Sequence, residues 1–160
     1  MAVDFFLKIE GIAGESSDDK HKDEIELQSW SWGEAQTGTA SLGSGMGAGK
    51  VQMQDFNFVM EVSKASPKLL LACASGEHIK SAILTCRKAG KEQQEYLKIK
   101  FSDILVSSFQ TGGSAGQEVP IDQISLNYTK IEYGYSPQKP DGTLDAEIKS
   151  GWDLKKNVKV

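Results

Sequence analysis

The chain reads as a mainly β protein: a small closed β-barrel of two packed antiparallel sheets with one short α-helix. Three observations predict it. Apolar and polar residues alternate with a period of two in several segments, as in Tyr96-Leu97-Lys98-Ile99-Lys100-Phe101, the mark of a strand with one buried face. The alternation changes phase in places, which marks a bulge or a strand passing between packing surfaces. Barrel corners need such devices. A single segment, Ser66-Pro67 to Gly76, carries helix start and stop residues.

The elements follow in order. Phe5, Leu7 and Ile9 alternate with Phe6, Lys8 and Glu10, predicting a first strand over 3–10. Residues 11–22 are polar and acidic and read as a loop. Ile25 and Leu27 share one face of the next strand, and Trp30 and Trp32 share the other, so the phase changes near Gln28–Ser29. Val51 and Met53 share one parity, while Phe56, Phe58, Met60 and Val62 share the other. Ser66 as N-cap and Pro67 at the first helical position open a helix that Gly76 ends. Leu69, Leu70, Leu71 and Cys73 point almost all round it, so it is expected to be buried. A helix plugging one open end of the barrel satisfies that. Strands follow over 78–88, 96–109 and 119–135, with turns at 89–92 and 111–116. Ile124, Leu126 and Tyr128 give way to Ile131, Tyr133 and Tyr135, a further phase change. Residues 137–151 are polar loop, and Trp152, Leu154 and Val158 close the chain as a short strand.

The 160 residues suit one domain, residues 1–160, with no repeat and no linker. A hydrophobic content of 39% and a charged content of 25% are ordinary for a globular chain. The net charge of −4 lacks the basic footprint of a nucleic-acid binder. Lys155, Lys156 and Lys159 make only a small basic tail. Cys73 and Cys86 fit neither a disulfide scaffold nor a metal spacing, and read as small buried apolar residues. Asp4, Lys8 and Glu10 interrupt the opening segment, so no signal peptide is expected. No stretch reaches transmembrane length, so no stable membrane insertion is expected either.

Residues 37–50 hold a Gly/Ser/Thr-rich loop directly after the Trp30–Trp32 strand. It is too long and too polar for a plain hairpin turn, and such a loop commonly carries function. It reads as an arm that reaches a neighbouring molecule, with Thr39, Ser41, Leu42, Ser44, Met46 and Lys50 as contact residues. Apolar residues on both faces of several strands further suggest that one face is covered by another subunit. The alternative is a two-sheet sandwich within one monomer.

Catalytic readings fail on context. Gly43-Ser44-Gly45-Met46-Gly47-Ala48 formally matches a dinucleotide-binding pattern, but that motif needs a following helix. Val51 onward is instead a period-2 strand. Gly49-Lys50 lacks the earlier glycine and the Ser/Thr of a phosphate loop. His21 sits in an acidic loop without calcium-loop spacing and reads as a solvated residue. His78 reads as a strand-start residue. No serine, histidine and acid arrangement stands out, so no catalytic residue, cofactor or metal is expected.

The order of the motifs carries a resemblance. It runs through Ala2-Val3-Asp4-Phe5-Phe6-Leu7-Lys8-Ile9, Gly14-Glu15-Ser16 and Glu24-Ile25-Glu26. It continues in Ser29-Trp30-Ser31-Trp32-Gly33, Gly47-Ala48-Gly49-Lys50 and Gln54-Asp55. It then runs through Ser66-Pro67, Ala72-Cys73-Ala74-Ser75-Gly76 and Asp103-Ile104-Leu105-Val106-Ser107-Ser108. Tyr128-Thr129-Lys130-Ile131 and Gly151-Trp152-Asp153 complete it. From end to end the chain resembles the Hcp family, the haemolysin-coregulated proteins of the bacterial type VI secretion system. Ala35 stands where the family often has serine, and Asp122 where glutamate is expected.

The resemblance implies a barrel with one packed helix, six copies in a homohexameric ring, and head-to-tail ring stacking into a hollow tube. It implies a contractile sheath and baseplate, a VgrG-type spike at the tip, and small effector proteins in the lumen. It also implies assembly in the cytoplasm, then secretion without a signal peptide. The family's channel wall includes the serine between the two tryptophans, here Ser31, and Ser114 is a further lumen candidate. Trp30, Trp32 and Trp152 are the expected barrel or interface aromatics. The chain stops soon after Trp152, so no toxin domain and no enzyme activity of its own are expected. The competing reading is a monomeric β-barrel that binds a carbohydrate or other ligand on Trp30, Trp32 and Tyr133.

Overall fold

A computed structural model describes residues 3–38, 48–88 and 93–160. Twelve strands and one helix are described. They are β1 (Val3–Ile9), β2 (Ile25–Glu26), β3 (Ser29–Ser31), β4 (Glu34–Gly38), β5 (Ala48–Met53), β6 (Phe56–Glu61), α1 (Ala65–Ser75), β7 (Ile79–Lys88), β8 (Glu95–Gly112), β9 (Ile121–Asn127), β10 (Lys130–Tyr135), β11 (Ile148–Asp153) and β12 (Val158–Lys159). All described pairings are antiparallel.

The expected closed barrel is corrected to an open, branched sheet. Ten strands share it, in the order β12-β11-β10-β8-β7-β1-β2, and β9, β6 and β3 branch away from β8. The ladder therefore ends at β12, β2 and β3. Between the last two the chain crosses with single bonds: the Leu27 N–H donates to the Phe5 carbonyl and the Gln28 N–H to the Val59 carbonyl. That crossing explains the phase change near Gln28, because β2 pairs with β1 and β3 pairs with β6. Strands β4 and β5 form a separate two-stranded ribbon.

Strand β8 makes the branch possible. Its first half pairs with β7 and β10, and its second half with β9. Leu97, Ile99 and Phe101 are buried, and then Ile104 and Val106, so the buried parity switches between 101 and 104. Asp103 lies at the switch with φ 54°, in the left-handed region. The expected single strand over 119–135 likewise divides into β9 and β10, with Tyr128 buried at the break.

The core collects the residues that alternation predicts. Phe56, Phe58 and Met60 of β6 are buried, while Asn57 and Glu61 are exposed. Phe56 packs on Phe101 at 4.8 Å between ring centres. Fully burying such a side chain contributes about 1.5–3 kcal/mol.

Helix α1 departs from expectation at its start and in its burial. It begins at Ala65, with Lys64 as the cap residue and no side-chain cap bond. Ser66 lies inside the first turn, where its hydroxyl oxygen accepts from the Ser63 N–H and its hydroxyl donates to Asp122 at 2.5 Å. Pro67 is tolerated there because first-turn N–H groups have no intrahelical acceptor. Gly76 ends the helix at φ 68°, as expected. The helix packs against β8, so Leu69 and Ala72 are buried while Leu70 is 53% and Leu71 62% exposed. It is covered on one side only, and is not the enclosed plug expected. Among the described residues no helix is long and apolar enough to cross a membrane.

Candidate functional site

Strand β3 presents two chemistries on its two faces. Alternation turns Trp30 inward, where its ring meets Phe5 edge-on and Phe56 at a tilt, each with 6.2 Å between ring centres. Ser29 and Ser31 on the other face are exposed. Register then extends each serine into a row. Ser31 pairs with Asn57, Asn57 with Ser125, and Ser125 with Ser108. Ser29 pairs with Val59, Val59 with Gln123, and Gln123 with Gln110. Neither row contains a charged residue.

A bulge stiffens the first row. The register shifts between Val106 and Ser108, so Ser107 and Ser108 both stand against Ser125. Their hydroxyls lie 2.7 and 2.6 Å from that of Ser125. Ser107 donates to Asp55 at 2.6 Å. Each hydroxyl has one proton, so Ser125 donates to Ser107 and Ser108 donates to Ser125. The chain of bonds ends on the Asp55 carboxylate, which also accepts from Asn127 at 2.9 Å.

Both serines named from the sequence lie at this face. Ser31 lines a hollow with Ser108, Gln110 and Gln123. Ser114 lines the adjoining hollow, which shares Gln110 and Gln123. Sequence reasoning missed Asn57, Ser108, Gln110, Gln123 and Ser125. Parity alone could have marked Asn57, which stands between Phe56 and Phe58. The other four needed the strand register.

Trp30, Trp32 and Trp152 converge elsewhere, on an apolar groove of about 1130 Å³. Val51 and Met53 of the ribbon form one flank, and Ile131 and Tyr133 of β10 another. Trp32 Nε1 donates to the Tyr128 hydroxyl, which donates to the Gln54 carbonyl at 2.8 Å. Burial pushes the Tyr128 hydroxyl up to about 12, so it remains a donor at physiological pH. Trp152 sits opposite Ile131 in register, and its Nε1 is buried without a hydrogen-bond partner among the described residues. Gly151 beside it admits no larger residue, since a Cβ there would lie 2.8 Å from the Ile131 carbonyl oxygen. Tyr133 is 41% exposed, which leaves the groove open to solvent.

Of the arm residues, Lys50 lies in β5 and is exposed. Thr39, Ser41, Leu42, Ser44 and Met46 lie outside the described residues. Cys73 is half-buried and Cys86 fully buried, and burial pushes the Cys86 thiol up to about 12, which makes it inert. Among the described residues no cluster of His, Cys, Asp and Glu could hold a metal ion. His21 is corrected: it is buried and bonded to two carboxylates, not solvated. The residue stacks on Phe6 of β1, a contact no local pattern indicates.

Residues 6–135 match the family described as type VI secretion system effector, Hcp. The chain is 50% identical to protein hcp1 of Pseudomonas aeruginosa, over the full length of both. Its fold matches the crystal structure of Hcp1 from Salmonella typhimurium with a TM-score of 0.83 at 37% identity, covering both chains completely. A solved type six secretion system protein matches with a TM-score of 0.93 at 30% identity, over 99% of this chain and 100% of that one. The chain belongs to the Hcp family of type VI secretion system proteins.

Proposed function

We propose that this chain is a structural tube subunit of the type VI secretion system and acts without catalysing a reaction. Six copies close into a ring, and rings stack head to tail into a hollow tube that carries small effector proteins. A contractile sheath drives the tube, with a VgrG-type spike at its tip. Assembly takes place in the cytoplasm and release follows through the apparatus.

The observation that supports this reading is the two-sidedness of the sheet around β3. An apolar groove open to solvent gains stability when a neighbouring copy covers it, at roughly 25 cal/mol per Å² of apolar surface. Repeating one heterologous contact around an axis closes a ring, and repeating another along it extends a filament. The rows containing Ser31 and Gln110 suit a lumen wall. Exchanging water for protein on a neutral hydroxyl or amide changes free energy by only about 0.5–1.5 kcal/mol. Cargo is then held reversibly. In this reading the arm around Lys50 reaches the next ring.

Light scattering after size-exclusion chromatography, with negative-stain images of the peak, tests the proposal. Sixfold rings with an open centre are expected. A monomer at all concentrations overturns it. The groove's exposed Tyr133, with Trp30 and Trp32, would then favour a ligand-binding barrel. That reading predicts quenching of tryptophan fluorescence by sugars.

A further inference from the structure

Two side chains fasten the acidic loop over 11–24 to the sheet, beside the Ile12 bridge to Ile9 and a bond from the Lys64 N–H to Glu15 at 3.1 Å. Asp18 makes a two-pronged bond to Arg87 of β7, at 2.8 and 2.9 Å. Arg87 also donates to Asp4 of β1 at 3.1 Å, so two carboxylates face its single positive charge. The second side chain is His21, only 7% exposed. Its Nδ1 lies 2.9 Å from a Glu24 oxygen within the loop, and its Nε2 lies 2.6 Å from a Glu95 oxygen on β8. The imidazole stacks on Phe6 at 4.5 Å and 9°, and the Arg87 guanidinium lies 4.8 Å from the centre of the Phe6 ring. Lys98 of β8 holds the other Glu95 oxygen at 3.3 Å. Asp19, Lys20, Lys22 and Asp23 of the loop itself are exposed.

This geometry has a protonation requirement. A neutral imidazole has one N–H and one lone pair. With a carboxylate oxygen against each nitrogen, the neutral ring bonds one and sets its lone pair against the other. Only the doubly protonated ring donates to both, and both bonds are then charge-assisted. The loop backbone beside this anchorage is closely packed. Gly14 packs so tightly that a Cβ would lie 2.5 Å from the Glu24 carbonyl oxygen, and Asp23 is held at φ 63°.

We propose that residues 14–24 form a pH-sensitive clasp, closed by doubly protonated His21 between Glu24 and Glu95 and loosened when the ring loses a proton. The Asp18–Arg87 bond does not change in that step, so the loop stays tethered at one end while its His21 end frees. The clasp is independent of the tube reading, because every group in it belongs to one chain.

Hydrogen exchange of the full-length protein tests it, with rates corrected for the intrinsic pH dependence. The reporters are the Ser16 and Asp23 amides, bonded to the Glu24 and Ser16 carbonyls at 3.0 and 2.8 Å. From about pH 5 to about pH 8, the range in which an ordinary imidazole loses its charge, their protection is expected to fall. The loss of one charge-assisted bond corresponds to about tenfold. Amides between β1 and β7 are expected to keep theirs. His21→Gln cannot gain the second proton, so its protection is expected to be low at both pH values. Equal protection at both values in the wild type overturns the proposal, as does an equal fall in the β1–β7 amides. Should His21→Gln fail to fold, Glu95→Gln serves in its place. A fall that persists undiminished in either variant also overturns the clasp.

Discussion

Ser31 and Trp30 are neighbours in the chain, yet they face surfaces built on opposite terms. The Ser31 surface is assembled from uncharged side chains on four strands, locked by register and by the hydroxyl chain through buried Ser125. The Trp30 surface gathers large apolar groups from the ribbon, β3, β10 and β11, and leaves them partly open. One is complete in a single copy, with its fixed hydroxyls bonded to one another. The other has an exposed tyrosine and an indole N–H without a partner among the described residues. The contrast teaches that one short strand can carry two chemically different surfaces, which the proposed tube would use for adhesion and for passage. Substitutions on one face need not disturb the other.

Four experiments would break or sharpen that separation. The largest effect is expected for Trp30→Ala. It removes packing against Phe5 and Phe56 and should cost about 3 kcal/mol of stability, measured by denaturant unfolding. A loss under about 0.5 kcal/mol, the range of an ordinary surface change, would show that Trp30 is not part of the core.

Tyr133→Glu places a charge at an exposed position of the apolar groove. The melting temperature should hold while the proposed sixfold species is lost from light scattering. Intact rings would remove the groove from the assembly contact.

Ser125→Val cuts the hydroxyl chain and leaves Ser108 without its acceptor. A loss of about 1 kcal/mol is expected, the net worth of one such bond. Ser31→Gln should be the mildest, within about 0.5 kcal/mol and with rings intact, altering only how long cargo is retained. Disruption of the rings by this change would contradict the division between the two faces.

A pH scan supplies a control outside both surfaces. The bond from Arg87 lowers the Asp18 carboxyl from 3.8 to about 2. A depressed carboxyl contributes stability above its unfolded value, and loses it as pH falls through the folded one. The contribution should therefore fade between about pH 4 and 2. Asp18→Asn should flatten that limb of the melting-temperature profile and leave assembly near neutral pH unchanged.

Much of the strand content was legible because burial on one face writes a period of two into the chain. Phe56, Phe58 and Met60 show it, and so do the phase changes near Gln28 and between Leu126 and Ile131. What those phase changes meant was not legible. The same signal fits a closed barrel corner and a strand handed between two partners, and the pairings of β2 and β3 are of the second kind. Helix α1 was visible from Gly76 and the leucine run, but its exposed Leu70 and Leu71 were not. Composition reports how apolar a helix is, not how many neighbours the fold supplies.

By itself, the order of residues determined the mainly β class, the helix and its glycine stop, the opposition of Ser31 to the tryptophans, and the likeness to Hcp. These depend on local periodicity and on motif order, which are properties of the chain. Only the tertiary structure decided that Ser31 and Ser114 adjoin through Gln110 and Gln123, that three tryptophans share one groove, and that His21 lies buried between Glu24 and Glu95. Each joins residues tens of positions apart. Such meetings are set by strand register and sheet order, which local sequence cannot encode because many pairings satisfy the same alternation.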